Sequence, residues 1–193
     1  MNHQNIFVAV LAASVISFSS CAGQPGRAKY ETPKYEAVMT DAGFEVRDYP
    51  AVMVASVSMK AERNSAFMKL FGYISGKNEK RQKIEMTTPV FGVLDDGQSA
   101  MSFVVPKEVV KSGVPKPDNS NIVVAERPAG RFAVYRYNGR WTPKLEEAAR
   151  EKLAKWAKKQ GLVTIGGYEK ANYDPPFTPP SMRRNEVLVR VRK

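Results

Sequence analysis

The only histidine of this 193-residue chain is His3, and the only cysteine is Cys21. Residues 22–193 therefore hold no imidazole to act as general base or metal ligand, and no thiolate nucleophile. Ser/His/Asp and Cys/His constellations are excluded there. Aspartates and glutamates are present, but no pair is placed as two acids facing one bond would be. Gly166-Gly167 reads as a turn, since no glycine-rich phosphate loop surrounds it. The aromatic and cationic side chains that remain bind by contact and charge and supply no proton transfer.

Cys21 has a different chemistry. Residues 6–18 are apolar or small, long enough for a signal-peptide core and too short to span a bilayer. Ser19 and Ser20 then place small residues before Cys21, as in a bacterial lipoprotein cleavage box. The expectation is a signal peptide over residues 1–20, an acylated Cys21, and a polar, turn-rich tether over residues 21–34. Ala22 points to the periplasmic face of the outer membrane. An ordinary signal peptide and a buried N-terminal helix are the competing readings. With its one thiol acylated, the domain must hold together by packing and not by disulfides.

The net charge of +11 belongs to residues 21–193, because residues 1–20 carry no Lys, Arg, Asp or Glu. A basic surface suits nucleic acid, anionic lipid or an anionic ligand. Export argues against nucleic acid, and contact with the membrane is expected through the anchor alone.

The positioning elements follow from periodicity. Strands are expected over residues 44–49 and 52–59, broken by Pro50. A helix capped by Asn64 or Ser65 follows, with Phe67, Leu70, Phe71 and Ile74 as its stripe and Gly76 at its end. Strands over residues 90–94 and 101–105 flank the turn Asp95-Asp-Gly97. Residues 113–118 read as a Pro-rich linker between two halves. Strands over 122–126 and 132–137 open the second half. A helix then runs from Thr142-Pro143 to Gly161, with Leu145, Ala149, Leu153 and Trp156 inward and the pairs Glu146–Arg150 and Glu151–Lys155 outward. The last strand covers residues 187–191. Strand–strand–helix–strand–strand, given twice, makes an α+β domain of two pseudo-repeated halves over residues 35–193.

Three stretches in this order are similar to one family: Phe71-Gly-Tyr-Ile-Ser-Gly-Lys-Asn78, Lys83-Ile-Glu-Met-Thr-Thr-Pro-Val90, and Tyr173-Asp-Pro-Pro176 before Arg183-Arg-Asn-Glu-Val187. Together they resemble the SOUL haem-binding proteins over about residues 31–192. The resemblance implies a distorted β-barrel of two βαββ-type halves with two flanking helices. It also implies a shallow apolar cleft beside the first helix that binds haem or another tetrapyrrole. Phe67 and Phe71 then resemble the family's apolar lining, and Tyr173 and Phe177 match its late loop beside the ligand. Arg63 and Lys69 stand near the ligand's carboxylates, while Asn64 and Gly72 occupy positions where the family would carry a cation.

Two readings stand for Phe67 and Phe71, cleft lining or packing on the sheet; Leu70 and Ile74 read as packing. Met68, Met86 and Tyr173 have atoms able to reach a metal, but Met86 reads first as core. Arg183, Arg184 and Asn185 read as a hydrogen-bonded turn before the last strand. The expected function is non-catalytic carriage or buffering of a tetrapyrrole with no histidine axial ligand and no bound metal site of the protein's own. The alternative keeps the fold as a GyrI-like effector-binding module for another amphipathic molecule.

Overall fold

The computed structural model describes residues 29–59, 63–95 and 98–192. The signal peptide, Cys21, most of the tether and the tip of the Asp95-Asp-Gly97 turn lie outside the described residues. Among the described residues nine strands and three α-helices succeed one another: β1 (Glu36–Asp41), β2 (Phe44–Tyr49), β3 (Val52–Ser58), α1 (Arg63–Ile74), β4 (Val90–Asp95), β5 (Gln98–Val104), α2 (Lys107–Ser112), β6 (Ile122–Arg127), β7 (Gly130–Tyr137), α3 (Pro143–Lys159), β8 (Val163–Asn172) and β9 (Asn185–Arg192).

All nine strands form one sheet in the order β1-β2-β7-β9-β8-β4-β5-β3-β6, antiparallel throughout. The expected barrel is thus an open sheet with β1 and β6 as its edges. The two halves are β3-α1-β4-β5 and β7-α3-β8-β9, joined at the centre by the β4–β8 ladder. Each half also takes a strand from the hairpin partner of the other. β2 leaves β3 to pair with β7, and β6 leaves β7 to pair with β3. This exchange ties the halves together more firmly than a linker could.

Strand alternation sorts side chains onto two faces. On one face Ala55, Val57, Met101 and Phe103 pack under α1 with Leu70, Tyr73 and Ile74. On the same face Val46, Ala133, Val187 and Val189 pack under α3 with Leu153 and Trp156. The intervening positions, Tyr49, Val54, Phe91, Phe132, Val134, Tyr173 and Leu188, form a third core on the face turned away from both long helices.

The helix ends follow their sequence signals. Thr142 Oγ1 accepts from the Leu145 amide at 3.1 Å, and Pro143 begins α3. At the end of α1, Gly76 takes φ +107°, a left-handed conformation open to glycine. The Gly76 amide then donates to the Tyr73 carbonyl at 3.3 Å and the Lys77 amide to the Gly72 carbonyl at 3.0 Å, a Schellman closure.

Three expectations need correction. Gly166-Gly167 is no turn between elements: Gly166, at φ +72°, sits where the β8–β9 register shifts, and the strand continues on both sides. Residues 113–118 are no free linker. The segment is strapped to α1 by Tyr73 Oη donating to the Pro115 carbonyl at 2.9 Å, and to the loop after α1 by the Glu79 amide donating to the Lys116 carbonyl at 2.9 Å. Glu146 does not face solvent. It is buried and accepts from Trp141 Nε1, from Arg150 at 2.7 Å and from Lys170 at 3.4 Å, with Lys170 stacked on the Trp141 ring.

Candidate functional site

On α1, Ala66, Leu70, Tyr73 and Ile74 are buried and seat the helix. Phe67 and Phe71 lie on one margin of that seat, 37% and 45% exposed. Their rings run nearly parallel, 11° between planes and 6.1 Å between centroids. Phe67 is propped edge-on against Phe103 of β5 at 5.5 Å. Next to them around the helix comes Met68, 62% exposed. The result is an open aromatic ledge with a thioether beside it, on a helix whose inner stripe already supplies the packing. Neither ring is needed to fill the core, so both stand available to a flat apolar surface.

Beyond Met68 the character of the helix changes. A groove of about 790 Å³ opens there, lined by Lys69, Gly72, Lys77, Arg81, Asp118 and Ser120. Lys69 thus lies in a basic groove adjoining the ledge. Arg63 begins α1, and its side chain lies outside the described residues. Lys77 and Arg81 went unmarked in the sequence, because both follow the helix and only the Schellman turn brings them back beside it. Tyr73 is pushed up to about 12 by burial and then by Glu79, so it stays a neutral donor there.

Two of the expected lining residues part from the ledge. Tyr173 is 4% exposed and belongs to the third core, its hydroxyl donating to Glu186 at 3.0 Å. Burial, then Glu186, pushes that phenol well above its ordinary range. It offers no face to a ligand and no free oxygen to a metal. Phe177 is 86% exposed in the loop between β8 and β9, and among the described residues its ring makes no ring contact with Phe67 or Phe71. Met86 is half-buried against the α1 core.

The residues that carry the family resemblance are largely structural. Asn78, fully buried, donates to the Tyr73 and Gln82 carbonyls and accepts from the Gln82 amide, closing the loop after α1. Thr87 donates to the Val104 carbonyl at 2.7 Å. Asp174 accepts from the Arg184 amide at 2.6 Å, and Asn185 donates to the Gly139 carbonyl at 2.9 Å. Glu186 is the hub of the third core. It accepts from both terminal nitrogens of Arg47, at 2.8 and 3.0 Å, and from Arg184 Nε at 2.8 Å. Burial alone would raise the Glu186 carboxyl, but Arg47 and Arg184 outweigh it and hold the group below the ordinary carboxylate range. Arg127, bonded to Glu169, stacks on Phe91 and Phe132 at 4.7 and 4.5 Å. The side chains of this core are thus packed on one another, with Glu186 and Glu169 paired to arginines. A cleft of about 430 Å³ opens at its margin beside Tyr49, Gly130 and Arg131, and the α1 margin is a separate exposed apolar surface.

Toward haem, the exposed residues offer apolar contact to a flat macrocycle and a thioether at its side. Two parallel rings give apolar contact, and Met68 is the sulfur beside them. Among the described residues there is no cluster of three or more His, Cys, Asp or Glu side chains that could hold a metal ion.

The chain is thus a curled antiparallel α+β sheet whose first helix exposes an aromatic margin. Residues 30–190 match the SOUL heme-binding protein family, and the chain belongs to it. It is 30% identical over 161 residues to Heme-binding protein 2 of Mus musculus, covering 76% of this chain and 77% of that protein. It is also 30% identical over 179 residues to Heme-binding protein 2 of Homo sapiens, covering 82% and 85%. Among solved structures it resembles the EcmrR C-terminal domain, with a TM-score of 0.60 at 15% identity over 82% of this chain and 98% of that one. A hydrolase from Listeria innocua has a TM-score of 0.56 at 12% identity, over 80% and 94%. At such identities the likeness is one of fold.

Proposed function

We propose that this protein binds haem or a related tetrapyrrole, non-covalently and without catalysis, on the Phe67–Phe71 ledge of α1. It serves as a carrier or buffer held in the cell envelope by a lipid on Cys21. The observation that carries this reading is the pair of parallel, half-exposed rings on a helix already seated by Leu70 and Ile74. Membership of the SOUL heme-binding protein family supports the ligand class. The residues supply apolar contact to the macrocycle face, and charge at its edge from Lys69. They supply no imidazole, so a bound iron keeps its other ligands from solvent or from Met68. The metal then contributes little to affinity. An effector module for some other amphipathic molecule draws support from the fold likeness alone.

Titration of the tag-free protein with haem, iron-free protoporphyrin and biliverdin tests this. Haem and protoporphyrin should saturate with similar affinity, and the haem complex should lack a bis-imidazole low-spin spectrum. Indifference to all three would reject the reading.

A further inference from the structure

Phe177 is 86% exposed on the loop between β8 and β9, and Met182 of the same loop is 46% exposed. The loop that carries them is fixed by its own bonds. Pro175, Pro176, Pro179 and Pro180 have no amide to satisfy. The amides of Thr178, Met182 and Arg183 donate to the carbonyls of Pro175, Pro179 and Pro180 at 3.1, 2.9 and 3.2 Å. Arg183 folds back across the loop, its Nε donating to the Thr178 carbonyl at 2.8 Å and its Nη2 to the Pro176 carbonyl. Asn138 Nδ2 donates to the Ser181 carbonyl at 2.6 Å, and the Gly139 amide to the Pro180 carbonyl at 2.9 Å. Six of the seven carbonyls of residues 175–181 thus accept a hydrogen bond from the protein itself. The bonds to Asn138 and Gly139 also set the loop against residues 138–144. In these two segments Arg140, Lys144 and Arg183 are cations, and Asp174 is the one acid. Among the described residues none of the three cations has a carboxylate within 4.0 Å.

We infer that this loop enters the interface of an anionic phospholipid bilayer, with Phe177 among the upper acyl chains and Arg140, Lys144 and Arg183 on the headgroup phosphates. A segment that enters the acyl region must bring its peptide groups already satisfied, because no water is there to bond them. The proline-rich loop meets that condition before any contact is made. It also leaves no run of open amides that a partner protein could pair with as a strand. An aromatic ring at the edge of the acyl region, with arginine and lysine behind it, suits both the apolar and the charged layer of such a surface. The contact is separate from the α1 ledge and needs no lipid on Cys21. Where that lipid is present, the loop adds a second point on the bilayer and so orients the domain.

The test follows a polarity-sensitive fluorophore on Ser181→Cys in the full-length chain carrying Cys21→Ser, where it is the sole thiol. Vesicles of phosphatidylcholine with an equal part of phosphatidylglycerol should shift its emission to the blue, and brominated acyl chains should quench it. Vesicles of phosphatidylcholine alone should give a much weaker response. Phe177→Ser should abolish the shift. Arg140→Gln/Lys144→Gln should raise the lipid concentration for half-response about tenfold at low salt, since two cations leave an anionic surface. A fluorophore on Lys159→Cys, at the end of α3, should stay in water, which separates entry of the loop from attachment through the apolar residues 6–18. No shift at position 181, an equal shift at 159, a shift that survives Phe177→Ser, or an equal response on phosphatidylcholine alone would overturn the inference. Porphyrin binding and acylation of Cys21 stand or fall by their own tests.

Discussion

Replacing both ledge rings by alanine separates ligand contact from core packing. Truncating a fully buried phenylalanine costs about 3–5 kcal/mol. Phe67 is 37% exposed and braced on Phe103, so its loss should cost about 2 kcal/mol. Phe71 is 45% exposed and faces mainly Phe67 and solvent, so about 1 kcal/mol is expected. For a chain of this size the pair should lower the melting temperature by roughly 6–12 °C. On the binding side, a ligand can cover only the exposed two-fifths or so of each ring. Full burial of such a side chain is worth about 1.5–3 kcal/mol, so the pair contributes about 1.2–2.4 kcal/mol. That is roughly a tenfold to fiftyfold loss of porphyrin affinity. The assay is a protoporphyrin titration beside a thermal melt, with Leu70→Ala as contrast, since Leu70 is fully buried. Leu70→Ala should lose about 2–5 kcal/mol of stability. Where it stays folded, it should bind nearly as the unaltered chain does. A Phe67→Ala/Phe71→Ala variant that binds porphyrin normally would refute the site.

Other outcomes follow from the buried charges and the leader. Glu186→Gln should destabilise by about 3–5 kcal/mol, because Arg184 is left buried with a neutral partner and Arg47 keeps only its pair with Glu45; chemical denaturation measures it. Glu186 has a folded pKa held below its unfolded value, so its stabilisation is complete above about pH 4.5 and is lost as pH falls through the folded value. An acid titration of the melt should show that extra loss in the unaltered chain and not in Glu186→Gln. Cys21→Ser should abolish partition into detergent, and an intact mass that still includes residues 1–20 would contradict cleavage before Cys21.

Elements whose burial is one-sided were legible in the sequence. The α1 stripe, the Thr142-Pro143 start and Gly161 end of α3, and strands β2 to β7 and β9 all show in periodicity or caps. β1 did not, because all six of its residues are exposed at a sheet edge and no alternation is selected. β8 was hidden by Gly166-Gly167, a register shift that reads as a turn. α2 is six residues, too short to show a period. The strand exchange between halves was invisible because it is a matter of pairing and not of composition. At the candidate site, helical spacing marked Phe67 and Phe71 as part of the α1 stripe, and the family resemblance marked Lys69 beside them. Tyr173 misled because an aromatic in a loop motif reads equally as ligand platform or core, and only its bond to Glu186 decides. Lys77 needed the turn geometry that brings it back beside α1.

The most direct test of the central claim is amide chemical-shift mapping of the isotopically labelled protein on addition of iron-free protoporphyrin, whose lack of metal keeps the spectra clean. Saturable shifts should gather at residues 67–72 and at Lys77, with Tyr173, Asn185 and Glu186 still. Shifts centred on Tyr173 and Glu186, or none at saturating porphyrin, would contradict binding on the α1 ledge.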